Sequence, residues 1–329
     1  MTWRPRLADG TAPVLVVLAV LLVALALAGP AYAEPAGYLA LLKRAAPLVV
    51  LAIGQYFVVV SGGFDLSVGS LVTAEVVIAA RLVDGDDANT AWVIALVLGF
   101  GVLVGLVNGL ITTKLLVPSF IVTLGMLLVL DGAVFLWTGG APRGALSPSF
   151  RALGRGGFDV PVLGQVPWSV VVLLVVTAAA VLLMRGGTGR TLLAVGDNER
   201  AVRLAGGRVD RLRVLAFVLS GLLAALAAIL LAGFAGVSAQ VGAGLEFRAI
   251  TAVVLGGVVL GGGRGSVVAA AAGALSLEAL FSLLNLLGVA GALESAVQGL
   301  IIIAAVAYAA RGAGSRRRLR PRRPEPVTS

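Results

Sequence analysis

The chain has 329 residues, of which 59% are hydrophobic and only 12% charged, with a net charge of +9. Soluble domains carry about 25% charged residues, so this composition excludes an ordinary soluble enzyme and points to a polytopic membrane protein. Cysteine and histidine are both absent, which removes disulfides, thiolate nucleophiles, His-dependent triads and the usual zinc or haem ligands.

No catalytic residue, metal site or cofactor is expected from the remaining residue types. The two lysines, Lys43 and Lys114, stand outside any G-x-x-x-x-G-K-[ST] pattern, so ATP hydrolysis by a P-loop is not expected of this chain. Its basic runs lack interleaved aromatics, so nucleic acid is not an expected partner. A lipid bilayer is.

From the N-terminus, residues 1–12 carry Arg4 and Arg6 and read as a cytoplasmic segment. The apolar run Val14–Ala28, followed by Ala31-Tyr32-Ala33, fits either a cleavable signal peptide or a retained first span. Retention is preferred, because a polytopic chain can use its first helix as an uncleaved anchor. Apolar runs then predict ten spans at about 13–29, 45–60, 66–80, 91–113, 118–138, 167–184, 214–233, 248–262, 266–286 and 289–309. With both termini cytoplasmic, 18 of the 25 basic residues fall inside, the bias expected of inner-membrane proteins. The expected fold is therefore all-α: a transmembrane domain over 13–310, closed by a basic, disordered cytoplasmic tail over 311–329.

The first irregularity is Gly54 to Ser70, GQYFVVVSGGFDLSVGS. Gly62, Gly63 and Asp65 interrupt an apolar run where a helix should continue. Irregular backbone at membrane depth is tolerated only where protein or a wet cavity satisfies it. Asp65, reinforced by Ser67, reads either as the N-cap of a helix starting near Leu66 or as a residue fixing the geometry of a translocation path. Gln55, Glu75, Asn108, Glu278, Asn285 and Gln298 are the other polar residues predicted at membrane depth. Asn108 and Asn285 read first as interhelical glue. Glu75 could line a path, pair with a base such as Arg81, or be protonated.

Gly101, Gly105 and Gly109 recur every four residues, as do Gly257, Gly261, Gly265, Ala269 and Gly273. Both stripes predict closely packed helices, with a break expected at the triple glycine 261–263. Between them, loop 139–166 is rich in Gly, Pro and Ser and is expected to lie along the membrane surface. Loop 185–213 holds seven arginines. It reads equally as a solvated basic connection or as a cytoplasmic helix at 199–205, capped by Asp197 or Asn198, docking on a partner.

Five blocks, in order, carry a resemblance. These are GQYFVVVSGGFDLSVGS; the stretch 107–140 with Asn108-Gly109-Leu110, Pro118-x-Phe120-Ile121-x-Thr123-Leu124-Gly125 and Thr138-Gly139-Gly140; GRTLLAVGDNERAVRLAGGRVDRLR at 189–213; RAITAVVLGGVVLGGGRGS at 248–266; and LNLLGV at 284–289. Together they are similar to the ribose-type inner-membrane permeases of bacterial ABC importers. The resemblance implies a permease subunit in the inner membrane, commonly a homodimer, fed by an extracytoplasmic sugar-binding protein and driven by a separate cytoplasmic ATPase. It also implies that 185–213 is the ATPase-coupling loop, with Gly189, Gly196, Asn198, Glu199, Ala201, Arg203, Leu204 and Gly207 as its matching residues. Branched-chain amino acids or nucleosides are the alternative substrates within the superfamily. An ion-driven secondary transporter is the alternative outside it.

Overall fold

The computed structural model describes residues 11–304, except 162, 163, 290 and 292, together with residue 307. The first ten residues and the predicted tail at 311–329 lie outside the described residues. The elements, in order, are α1 (Thr11–Ala28), α2 (Pro35–Val60), α3 (Val68–Val83), α4 (Thr90–Lys114), α5 (Ser119–Thr138), α6 (Pro148–Arg155), β1 (Gly157–Val160), β2 (Gly164–Pro167), α7 (Trp168–Arg185), α8 (Gly187–Leu204), α9 (Val209–Ala235), α10 (Leu245–Leu255) and α11 (Val267–Leu286). An apolar helix α12 follows at Leu293–Ala304. The protein is an all-α membrane protein, to which the antiparallel β1–β2 hairpin is a small exception.

Each predicted apolar run contains a helix, but the helices differ in reach. Among the described residues, seven of them (α1, α2, α4, α5, α7, α9 and α11) are long and apolar enough to cross a bilayer. Helix α3 has 16 residues and α10 only 11. At 1.5 Å per residue, α10 covers about half of a hydrocarbon core of roughly 30 Å.

Helix α2 is the central strut. Every residue from Ala45 to Val60 is buried, as expected of a helix that is apolar all round, and α9, α11, α7 and α10 surround it. The most intimate crossing joins α4 to α9. Gly101 lies against Gly221, and a Cβ on Gly105 would overlap the carbonyl of Phe217. The stripe Gly101–Gly105–Gly109 therefore permits backbone contact, as its spacing predicts.

The second stripe behaves differently. Helix α10 stops at Leu255, six residues before the break expected at 261–263, and Gly257 takes a positive φ of 76°. Gly257, Gly261 and Gly265 thus belong to a loop. The close packing here comes instead from Gly256 against Ala269 and from Gly273 against Ala252. Loop 139–166 is also more ordered than its composition suggests. It holds α6, capped by Ser147, whose hydroxyl accepts the Phe150 N–H, and then the β hairpin.

Candidate functional site

The interruption after α2 is a fully satisfied break. The Ser61, Gly62 and Gly63 amides return to Val58 and Val59 carbonyls. The Phe64 amide donates to Ser119 Oγ and the Leu66 amide to Thr123 Oγ1, each at 3.0 Å. With its amide oriented to satisfy both neighbours, Gln55 accepts the Asp65 N–H at 3.3 Å and donates to the Asp65 carbonyl at 3.1 Å. The Ser67 amide donates to Asp65 Oδ1 at 3.0 Å. Every N–H from 61 to 67 has a protein partner, which is the condition for non-helical backbone away from water. Gly62, at φ 88°, makes the turn that starts the break.

Asp65 is the hub. Its carboxylate accepts Ser67 Oγ–H at 2.6 Å and Ser220 Oγ–H at 2.9 Å, while Asn108 Nδ2 donates to Ser67 Oγ at 2.9 Å. Gln55, Asp65, Ser67, Asn108 and Ser220 are all buried. The carboxylate thus ties α2, the start of α3, α4 and α9 into one knot. Helix α3 begins at Val68, two residues after the predicted start, because Asp65 closes a turn on Ser67 first.

Three partners of the break, Ser119, Thr123 and Ser220, were not singled out from sequence as site residues. Thr123 does stand in the Pro-x-Phe-Ile-x-Thr block, so a signal existed. Ser220 had none.

Helix α8 packs against this break. A Cβ on Gly196 would overlap the Val60 carbonyl oxygen and the Gly263 nitrogen, and the Gly263 amide donates to the same Val60 carbonyl at 2.9 Å. Three glycine segments, at 62–63, 196 and 262–263, therefore meet at one point. A polar bridge runs beside them: Glu199 pairs with Arg213 at 2.7 Å, and Arg213 Nε approaches the Ser61 carbonyl at 3.5 Å.

Helix α8 bends at Asn198, whose backbone leaves the helical region (φ −155°, ψ 89°) and whose Oδ1 accepts the Ala201 N–H at 3.0 Å. Asn198 is thus an N-cap for 199–204, and Gly206 (φ 79°) and Gly207 end the segment through bonds to Arg203 and Val202. The helical stretch 187–197 before the bend was not expected from sequence.

Folding takes up most of the side chains of this helix within the chain. Arg203 bridges Glu199 (2.9 Å) and Asp210 (2.6 Å), so its charge is already matched within the chain. Partial burial opposes ionisation of Glu199. The Arg203 hydrogen bond and the Arg213 charge outweigh it, so the carboxyl lies below its ordinary range. Val202 is buried with Val195, Val209 and Leu212, and Leu193 packs on the main core. Only Leu204, 82% exposed, presents a large apolar side chain outward from this helix, with Ala201 beside it. Gly189 lies against Met184 at the α7–α8 corner.

The other polar candidates do not join the knot. Glu75 is fully buried near Gly101, and neither carboxylate oxygen has a partner among the described residues; the pairing with Arg81 does not form. Gln298 is buried on α12 with its Nε2 unpartnered among the described residues. Asn285 is exposed in the last turn of α11, so it does not act as interhelical glue there.

The family profile described as "Branched-chain amino acid transport system / permease component" matches residues 37–306. The ribose import permease protein RbsC of Bacillus subtilis (strain 168) is 36% identical over 298 residues, covering 88% of this chain and 89% of that protein. RbsC of Escherichia coli K12 is 36% identical over 269 residues, covering 81% and 83%. The chain belongs to the ribose-type ABC importer permease family. It is a transporter subunit rather than an enzyme. The autoinducer 2 import system permease protein LsrC of Enterobacter sp. (strain 638) is also similar to this permease, at 37% identity over 259 residues, covering 78% and 74%. No solved structure matches the permease.

Proposed function

We propose that this permease forms the translocation path for a monosaccharide, ribose or a related sugar, in a binding-protein-dependent importer of the cytoplasmic membrane. Its partners are a second permease subunit, in a homodimer, an extracytoplasmic sugar-binding protein, and a cytoplasmic ATPase that docks on α8. The observation that carries this reading is the backbone contact of Gly196 with Val60 and Gly263, which joins the proposed docking helix to the break in the membrane helices. The relatives named for ribose import favour a sugar over a branched-chain amino acid. The similarity to an autoinducer 2 permease favours that molecule as the second substrate reading.

In this mechanism the ATPase moves α8. Close-packed interiors are stiff, so displacement passes through the glycine contact and the Glu199–Arg213–Ser61 bridge to the end of α2. From there the Asp65 knot carries it to α3, α4 and α9. The sequence-matched residues divide by role: Gly189, Gly196 and Gly207 set the path of the backbone, Asn198 caps, Glu199 and Arg203 brace, and Ala201 and Leu204 contact the ATPase.

Leu204→Asp tests the docking surface. Leu204 is exposed, so the change should leave permease abundance unaltered while reducing ATPase co-purification and sugar uptake together. Normal ATPase retention and uptake would remove α8 from the docking role.

We further propose ten crossings with both termini cytoplasmic, on the charge distribution. The chain has no cysteine of its own. Single cysteines at Asp86 and Gln240 should therefore label from outside, and one at Arg200 only after permeabilisation. Labelling of position 200 in intact cells would overturn this topology.

A further inference from the structure

A second polar cluster lies apart from the Asp65 knot, where the start of α2, the start of α10 and the end of α11 converge. With α12 they line an open cleft of about 490 Å³, within the roughly 300–1,000 Å³ typical of small-molecule sites. Its lining is unusual for a protein this poor in charge. Arg44 Nη2 donates to Tyr32 Oη at 2.9 Å and to Ser282 Oγ at 3.3 Å. Across the cavity, Arg248 pairs with Glu294 at 3.0 Å and lies 5.1 Å from the centre of the Phe281 ring. Glu278 lines the wall within electrostatic reach of both arginines. Among the described residues it makes no hydrogen bond and no close ion pair.

We propose that this cavity is a receiving site on the permease for a neutral, hydroxyl-rich molecule, a monosaccharide in its ring form. The charge balance disfavours a simple anion or cation, and the sugar-permease reading favours a polyol over a zwitterion. Two guanidiniums face two carboxylates, so an anion meets Glu278 and Glu294 while a cation meets Arg44 and Arg248. A polyol instead offers a hydroxyl donor to each carboxylate and an acceptor to each guanidinium. Glu278 supplies the open acceptor, and the exposed Asn285 at the rim adds both functions. Phe281 gives the wall an apolar patch suited to the C–H face of a sugar. The inference rests on the sugar-permease reading and locates its ligand on the chain. In the topology proposed above, the cavity opens on the extracytoplasmic side, where a binding protein would release sugar.

The test is direct binding of D-ribose and D-ribose 5-phosphate to the full-length permease in nanodiscs, read by saturation-transfer NMR. Wild type should bind D-ribose and show much weaker transfer to the phosphate. Glu278→Gln should weaken D-ribose binding about tenfold, the loss expected for one charge-assisted hydrogen bond. It should also narrow the preference over the phosphate, because the Gln amide offers an N–H donor to the phosphate where a carboxyl oxygen stood. Ser282→Ala, which removes one hydroxyl at the Arg44 side, should have a smaller effect in the same direction. No transfer to D-ribose in wild type, or equal binding by wild type and Glu278→Gln, overturns the proposal. So does a result in which Glu278→Gln leaves D-ribose binding intact and weakens only capture of the binding protein, since the cluster is then a docking surface. Sugar uptake by the assembled importer is measured separately. Its absence despite ribose binding would fail the transport reading and leave the site standing.

Discussion

Gly196→Ala is expected to abolish most sugar uptake while the permease remains in the membrane at near-normal abundance. The added methyl has no space, because its position overlaps both the Val60 carbonyl and the Gly263 nitrogen. Both neighbours are backbone, so neither moves aside as a flexible side chain does. Forcing a methyl into such a contact costs about 1–3 kcal/mol, enough to shift the position of α8 against the break by about five- to 150-fold in population. The Gly263–Val60 hydrogen bond is strained by the same displacement. Gly187→Ala is the control: nothing lies within 4 Å of the added atom there, and alanine favours a helix over glycine. Uptake, ATPase co-purification and abundance should be measured for both variants. Wild-type uptake by Gly196→Ala would show that the α8–α2 contact is not the coupling element.

Asp65→Leu should be the more damaging change to the fold itself. The carboxylate accepts three hydrogen bonds, from the Ser67 amide, the Ser67 hydroxyl and the Ser220 hydroxyl. A buried donor stripped of its acceptor costs about 1–3 kcal/mol. Losing all three at once in a buried knot should lower permease abundance severely. Asp65→Asn keeps one acceptor oxygen and should retain part of the abundance, with uptake reduced in proportion to correctly assembled protein. The measurement is membrane abundance and thermal stability in detergent for the two variants beside wild type. Equal stability of Asp65→Leu and wild type would mean that the knot contributes nothing to holding α2, α3, α4 and α9 together.

The contrast between these two residues separates what was legible in the sequence from what was not. Asp65 announced itself, because a carboxylate between two apolar runs must be satisfied locally or buried at high cost. Its turn on Ser67, two positions on, follows from that local chemistry. The partner that locks it to α9 lies 155 positions away and is one serine among several on apolar helices. Nothing in the period or composition of α9 distinguishes Ser220 from a solitary hydroxyl bonded to its own helix. Arg203 shows the opposite error. Counted in a basic loop it looks available for a partner, yet folding places Glu199 one turn before it and Asp210 after the turn, and both are taken up by it.

By itself the sequence determined the class, the order of apolar helices, the α4 glycine stripe and the family, and it narrowed the cap of 199–205 to Asp197 or Asn198. Each of these is written in local composition or in residues within about one helical turn, and the family blocks are contiguous strings. Only the tertiary structure decided that α10 ends at Leu255, that Val202 faces inward while Leu204 faces out, that Glu75 has no base beside it among the described residues, and that Gly196 touches the break. These depend on which surfaces meet after α2 takes the centre of the bundle. That choice is made by packing between segments far apart in the chain, where one overlapping methyl or one unpaired donor decides the arrangement and local pattern carries no record of it.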